Sequence, residues 1–368
     1  MIVCKFGGSS VADAELIRLV AKITQKSNDR RFVVVSAPGK RFAGDDKITD
    51  LLIQAHQGSA RALEKVRARF LAIAEQLHME EEIARELETI ARRIFLSADY
   101  AASRGEYLSA RILARLIDAP FVDAKDILCF DASGTLDFRR TYERTRAALK
   151  PLARAILPGF YGSLPDGSIR TFPRGGSDIT GALVAGAMGA QCYENWTDVD
   201  GVFTADPRLV EGVRPIEQIS YRQMRLLSSM GASVLHPDSI RPVFRAGIPI
   251  QLRNTFREDC PGTRIWADAH ARLPLITGKP LESGMCVVAI LHAEAPGLLE
   301  NARASLDHAG IDCASHSVFA DHLLFFLKAR EFVRAVRALH ETLVELPGDS
   351  RTCSSPSGTL SAENPDAH

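Results

Sequence analysis

The sequence has no surplus of charge of either sign. Its 45 Lys and Arg stand against 45 Asp and Glu, and no run of basic residues is long enough to make a patch, which excludes binding of nucleic acid or a membrane surface through a basic face. Paired cysteines are also missing. The 7 present (Cys4, Cys129, Cys192, Cys260, Cys286, Cys313 and Cys353) are odd in number and scattered, with no C-x-x-C pair, and the 10 histidines never fall at H-x-x-x-H spacing. A disulfide framework and a zinc site are excluded, and small buried hydrophobes in a reducing cytoplasm are expected instead. Long apolar runs are absent too. The opening residues pass straight into a strand-like IVCKF, without the charged segment and apolar stretch of a signal peptide, and no later stretch reads as a transmembrane span, so a cytoplasmic chain is expected.

With 368 residues and 46% hydrophobic content, the chain can bury substantial cores as two domains, or as one large domain with an appendage. The most informative stretch runs from Thr171 to Arg208, TFPRGGSDITGALVAGAMGAQCYENWTDVDGVFTADPR. Pro173, Arg174, Gly175 and Gly176 make a basic glycine turn, Ser177 and Asp178 take helix-capping positions, and Ile179 to Met188 reads as a small-residue helix that Gly189 ends. A glycine turn entering a helix start is a ready anion site, because unpaired N–H groups and the positive end of the macrodipole point to one place. Arg174 adds a planar fork suited to a carboxylate or phosphate. An ordinary capped surface helix would look the same. Cys192 to Trp196 then reads as a strand, ending in the polar turn Thr197, Asp198, Val199, Asp200 and Gly201, and a second irregular segment carries Phe203, Thr204, Asp206, Pro207 and Arg208. Polar, glycine-marked loops at strand ends are where open α/β sheets bind nucleotides.

Ile2 to Phe6 reads as another strand, followed by the turn Gly7, Gly8, Ser9 and Ser10 and a helix with Leu16, Leu19, Val20 and Ile23 on its apolar side. Lys5 sits at that strand's end, where a cation can reach phosphate oxygens held by the turn; a solvated strand-end lysine is the other reading. The lysine precedes the glycines, so this is no P-loop. Arg31 to Ser36 reads as a buried parallel strand. Past Ala37 and Gly39, a charged loop leads to a helix from about Thr49, which also serves as a cap. Ser59 to about Ala119 is helical, with core-facing stripes at Leu63, Val66, Phe70, Ile73 and Leu77 and at Ile83, Leu87, Ile90 and Ile94. Gly105 and Glu106 interrupt that pattern before YLSARILARLI, with Glu106 reading as a first-turn helix acid. Phe121 to Ala124 is a short strand, Arg139 to Arg154 a helix, and Ile156 to Tyr161 a strand in which Phe160 packs in the core. Helices at Tyr221 to Ser229 and His236 to Ala246 precede a strand at Ile248 to Arg253.

KFGGSS at Lys5 to Ser10, SAPGKR with TDLL further on, RGGSD at Arg174 to Asp178, and TDVDGVFTADPR at Thr197 to Arg208 occur in that order. Together they resemble the aspartate kinases of the amino-acid kinase superfamily over residues 1 to roughly 268. The resemblance implies an α/β fold, a three-layer αβα sandwich around a mostly parallel sheet, and transfer of a phosphoryl group from ATP with Mg²⁺ to the β-carboxylate of L-aspartate. The product, 4-phospho-L-aspartate, opens the synthesis of Lys, Thr, Met and diaminopimelate. It also implies residue roles. Lys5 is catalytic and bears the phosphate charge, with Gly7, Gly8 and Ser9 cradling the phosphates and Asp178 orienting Lys5 or the substrate ammonium. Ser36, Ala37, Thr49 and Ser177 bind substrate, Glu106 pairs with its ammonium, Phe160 lies over it and Arg174 clamps its carboxylate. Thr197, Asp198, Phe203 and Arg208 line ATP. MGASVLHP at Met230 to Pro237 departs from the family's usual wording, with Ser233 where a nucleotide-binding lysine often stands.

The expected organisation is a catalytic domain over 1–271, a linker over 272–284, a module over 285–345 and a disordered tail over 346–368. The module's β-α-β-β-α order, with Pro-Gly at its first strand-to-helix turn, resembles a small α+β ACT regulatory domain. Relatives of this type usually carry two such modules, whereas here there is room for about one, incomplete in its last strand. Weakened or altered feedback by lysine or threonine is therefore expected, with a homodimer able to restore an effector pocket. Two further readings stand beside an aspartate kinase: a related kinase acting on an aspartate analogue in a specialised pathway, and a non-catalytic amino-acid sensor that keeps the pocket.

Overall fold

A computed structural model describes residues 1–173, 175–231, 235–269, 271–291 and 297–344. The readings placed on Arg174, Ser233 and the tail 346–368 lie outside the described residues. A seven-stranded sheet forms the centre of the larger part. From one edge its strands are Ala155–Pro158, Arg30–Val35, Ile2–Phe6, Cys192–Thr197 and Ile250–Asn254, all mutually parallel, then Thr263–Trp266, antiparallel to its neighbour, and Gln218–Ser220. The first four of these strands are nearly continuous runs of buried residues, as a sheet covered on both faces demands, while Ile250–Asn254 alternates buried with half-buried residues.

Two hydrophobic layers cover the faces. Val3, Tyr193, Leu157 and Leu252 pack with Ala182, Leu183 and Val184 of the Gly176–Met188 helix on one side, while Cys4, Phe6, Val33 and Trp196 pack with helices Ala14–Gln25, Ile48–His56 and Ala60–Gln76 on the other. The stripes at Val66, Phe70, Ile73, Ile83, Leu87 and Ile90 are buried as the periodicity predicts. Within the second layer Arg30 and Glu194 form an ion pair at 2.9 Å, Glu194 also accepts from Trp196 Nε1 at 3.0 Å, and Arg30 donates to the Ile23 carbonyl at 2.7 Å. This network joins Arg30–Val35 to Cys192–Thr197 across the strand between them, and both to the Ala14–Gln25 helix, through groups that burial would otherwise strand without partners.

Several boundaries differ from the sequence reading for stated reasons. The Gly176–Met188 helix is capped by Gly175 in the left-handed region at φ 60°, so Ser177 and Asp178 lie inside its first turn and do not cap it. Gly105 and Glu106 do not interrupt a helix: Ala98–Leu116 runs unbroken through both, because Ser97 caps it upstream and the glycine buys a close contact with Ala37. Thr49 follows the true cap, Lys47. Phe121 makes only an isolated bridge to Ile156, and Ala124 already begins a short helix. The expected linker 272–284 contains the strand Leu275–Pro280, paired along its whole length with Met285–Leu291.

That strand completes the smaller part. Its sheet order is Leu275–Pro280, Met285–Leu291, His322–Lys328, Ser315–Val318, and helices Leu298–His308 and Phe332–Val344 cover one face. The sheet is four-stranded, with the edge that looked incomplete supplied from upstream. Ala205 and Val210, from the loop after Phe203, are buried in this smaller core, where Thr204 Oγ1 lies 2.8 Å from His340 Nε2 and Arg337 Nε donates to the Leu209 carbonyl at 2.7 Å. No helix among the described residues is long and apolar enough to cross a membrane.

Glu194→Ala leaves Arg30 charged and buried without its carboxylate, and is expected to cost about 3–5 kcal/mol in urea unfolding. Replacing both partners with apolar residues of similar volume is expected to cost much less, and equal losses for the two variants would contradict this account.

Candidate active site

The carboxyl ends of the parallel strands meet at one place. Lys5 stands one residue before the end of the central strand and is only 8% exposed. Its ammonium lies 2.6 Å from Asp178 Oδ1, which the first turn of the Gly176–Met188 helix delivers. Burying a charge is costly unless it is paired, and Asp178 supplies the pairing. Asp178 is held in turn: Asn195 Nδ2 donates to the same Oδ1 at 3.0 Å, and Tyr193 Oη donates to the Asp178 carbonyl at 3.0 Å. Composition alone gave no signal for Asn195, whose place opposite Lys5 appears only with the strand register.

Around this pair, backbone approaches backbone. The Gly39 N–H donates to the Gly8 carbonyl at 2.8 Å, and a Cβ on Gly39 would lie 2.7 Å from Gly8 C, so the two loops touch only because neither carries a side chain. A Cβ on Gly7 would be 3.6 Å from Lys5 Nζ and 3.9 Å from Ser9 Oγ, which places Gly7, Ser9 and the ammonium in one cluster. The Gly7 N–H is itself spent on the Trp196 carbonyl at 3.0 Å, so that donor is not free for a phosphate. Ser10 Oγ and Thr255 Oγ1 share a hydrogen bond at 2.7 Å, and the Thr255 N–H donates to the Thr197 carbonyl at 2.9 Å; Thr255 is a further wall residue that no motif announced.

The residues expected to bind substrate stand on several elements. Phe160 holds φ 80°, a strained value for an aromatic residue, with its N–H on Thr180 Oγ1 at 3.2 Å and its backbone against Gly176. Ser177 presses on Gly159, where a Cβ would come within 2.5 Å of its Oγ. Ser36 follows the end of the second parallel strand, where its N–H donates to the Phe6 carbonyl at 3.1 Å. Glu106, 5% exposed, reaches toward the Ala37 loop, and its Oε2 has no hydrogen-bond partner among the described residues. Burial pushes its carboxyl up to about 8, against the opposing pull of its own and Ala37's backbone N–H groups and of the Arg104 charge. Thr49 occupies the first turn of the Ile48–His56 helix, with Ile48 against Gly105.

The structure does not bring the remaining residues into contact with Lys5. Thr197 donates to Asp198 Oδ1 at 3.2 Å, Phe203 pairs with Pro215 in a two-residue ladder, and Arg208 folds back on Asp206 at 2.7 Å with its side chain 80% exposed. Phe203 and Arg208 lie on the segment that follows the Thr197 strand end. Among the described residues no group of three His, Cys, Asp or Glu gathers to hold a metal.

A buried cation–carboxylate pair, a helix N-terminus and glycine loops at strand ends are the parts of an anion-transfer site. Residues 1–254 match the amino acid kinase family, and the chain is 35% identical over 315 residues to aspartokinase 3 of Bacillus subtilis, covering 79% of this chain and 69% of that one. The chain belongs to the amino acid kinase family, in its aspartokinase branch. It is also 30% identical over 329 residues to a bifunctional aspartokinase/homoserine dehydrogenase of Arabidopsis thaliana, covering 80% of this chain and 36% of that enzyme. Among solved structures, Clostridium acetobutylicum aspartate kinase superposes with a TM-score of 0.87 at 30% identity, covering 93% of this chain and 100% of that one.

The Gly8–Gly39 contact makes a simple test of the kinase architecture. Gly39→Ala must push the Gly8 loop away by several tenths of an ångström, at roughly 1–3 kcal/mol. The expected result is a weakening of Mg-ADP binding, measured by calorimetry, larger than the accompanying fall in melting temperature implies; unchanged nucleotide affinity would show that the two loops need not touch.

Proposed function

We propose that the protein transfers the γ-phosphoryl group of Mg-ATP to the β-carboxylate of L-aspartate, giving 4-phospho-L-aspartate and ADP. The observation that carries this reading is the Lys5–Asp178 pair at 2.6 Å, buried where a glycine loop and a helix N-terminus converge. A carboxylate is already anionic near neutrality, so no general base is needed. The acceptor oxygen attacks phosphorus in line while ADP leaves, and catalysis is positioning plus neutralisation of the charge that spreads over the phosphoryl oxygens. Lys5 supplies that neutralisation in a site that shields it from water. The divalent ion, when bound with the nucleotide, lowers the repulsion between phosphates and incoming carboxylate.

Glu106 receives the substrate ammonium: its free Oε2 is a buried acceptor awaiting a cation. Ser36, Ala37, Thr49, Ser177 and Phe160 line the same end, and Arg174 is assigned to the substrate carboxylate. Thr197, Asp198, Phe203 and Arg208 form the nucleotide rim, with Arg208 leaving Asp206 to reach ATP. The small four-stranded part is assigned as a single ACT-like module that binds an amino-acid effector, because its core holds the loop carrying Phe203 and Arg208. A homodimer or higher homo-oligomer and a cytoplasmic setting complete the reading.

Trapping of acyl phosphate by hydroxylamine, across L-aspartate, L-glutamate and aspartate analogues, tests the acceptor. Hydroxamate from aspartate is expected, and preference for an analogue would move the reading to a specialised pathway. Lys5→Ala is expected to lower kcat by about 10² to 10³; near wild-type turnover would remove Lys5 from its role. Glu106 gives a pH signature. Its carboxyl is protonated in the free protein below about 8, and an ammonium pairs only with the ionised form. The KM for aspartate should therefore fall as pH rises, by up to about tenfold per unit, and level off above about pH 8. Glu106→Gln should abolish this slope and raise KM at the alkaline end, whereas a pH-independent KM in the wild type would contradict the assignment.

A further inference from the structure

The strand Cys192–Thr197 is apolar or structural in most of its length: Tyr193 and Trp196 fill the two cores, and Glu194 is committed to Arg30. Asn195 is the exception. It is 0% exposed, and its Oδ1 has no hydrogen-bond partner among the described residues. A buried amide with one unmade bond costs stability, and β-branched apolar side chains fit such a strand position better. Packing therefore does not explain it.

The strand register does. Asn195 is the direct parallel partner of Lys5, so both side chains leave the sheet on the same face, under the first turn of the Gly176–Met188 helix. Lys5 Nζ and Asn195 Nδ2 then meet the same atom, Asp178 Oδ1, at 2.6 and 3.0 Å. A second Asn195 donor contact runs to Tyr193 Oη at 3.4 Å, and Tyr193 Oη holds the Asp178 carbonyl. Side chain and backbone of Asp178 are thus fixed from one strand.

We propose that Asn195 is a positioning residue for phosphoryl transfer, acting on Lys5 through Asp178. The inference rests on the kinase reading above. In the free protein Asp178 keeps the ammonium in place. During transfer the ammonium must follow the charge that develops on the phosphoryl oxygens, and Asp178 must release part of its hold. The Asn195 amide stays on Oδ1 throughout, takes up part of the carboxylate's demand for donors, and lowers the cost of that release. Without it, Asp178 leans wholly on Lys5, and the ammonium is displaced from the phosphate position.

The test uses the full chain with Asn195→Leu, which keeps volume and removes the donor, and Asn195→Asp, which keeps shape and adds a charge beside Lys5. Turnover by hydroxamate formation, affinity for a non-hydrolysable ATP analogue and thermal melting are measured on each beside the wild type. For Asn195→Leu the expected kcat is about tenfold lower and analogue affinity several-fold weaker, with aspartate KM little changed and melting temperature unchanged or raised. Asn195→Asp should lose more turnover than Asn195→Leu. A structural role alone would give the opposite pattern, a lower melting temperature with kcat kept, and folded variants with wild-type kcat and analogue affinity overturn the proposal. Should the wild type itself fail to turn over aspartate, the functional reading falls, and the analogue affinity still decides on Asn195: weakening supports it and an unchanged value overturns it.

Discussion

The structure depends on keeping one ammonium charged inside a protein. Lys5 is nearly buried, and a charge taken out of water is costly unless a fixed opposite charge pairs with it. Asp178 can serve because it lies at a helix start whose cap, Gly175, takes a left-handed conformation and turns the chain back toward the sheet. The helix behind it is made of small residues and sits against the central strands, with Tyr193 closing on Gly181. A bulkier helix would stand farther from the sheet and leave the carboxylate out of reach. The choice of alanine and glycine across Gly176–Met188 is thus a condition of the ion pair as well as of core packing.

The same logic accounts for the strain opposite. Phe160 at φ 80° departs from the conformations its ring favours, and it persists because Thr180, Gly176 and the Phe172 N–H all fix its backbone. Glu106 is the complementary case: a carboxyl taken out of water, held by neighbouring N–H groups, and left with one oxygen unpaired. Both are costs that the fold bears. Glu106 stands on the Ala98–Leu116 helix, whose Ala101, Leu108 and Ala110 belong to the layer that also holds Trp196, and there the Arg30–Glu194–Trp196 network has its principal contacts satisfied. Among the described residues, buried polar atoms without a partner occur at Glu106 and Asn195 and also away from them, as at Thr24 and Thr145.

How much of this could be read beforehand follows from range in sequence. The parallel strands, the long helices and their stripes are local patterns, and Lys5, Gly8, Ser177 and Asp178 sit in contiguous motifs. Contacts between distant segments were opaque. The Gly8–Gly39 approach and the Ser10–Thr255 bond join loops that carry no shared pattern. Asn195 was hidden because its meaning lies in the register with Lys5, 190 positions away. The Pro and Gly residues of Leu275–Pro280 read as breaks, yet a strand paired on one side tolerates both at positions away from a ladder donor. Cap positions failed for a different reason: Ser and Asp are good caps in general, but Gly175 in a left-handed conformation already turns the chain.

The loop from Phe203 to Arg214 belongs to two bodies at once. Its first residue pairs with Pro215 at the edge of the large part, while Ala205 and Val210 are core residues of the small one. Thr204 joins them: its carbonyl accepts from the Ile276 N–H at 2.7 Å, its N–H donates to the Arg214 carbonyl, and its hydroxyl meets His340. A segment fixed at this many points cannot shift at one end alone, since close-packed interiors transmit small displacements instead of absorbing them. The position of Arg208, four residues beyond Thr204 and exposed on the rim, is therefore set as much by the packing of the Phe332–Val344 helix as by the central sheet. A four-stranded sheet whose first strand comes from the supposed linker is what makes this sharing possible, because Ile276 lies on that strand.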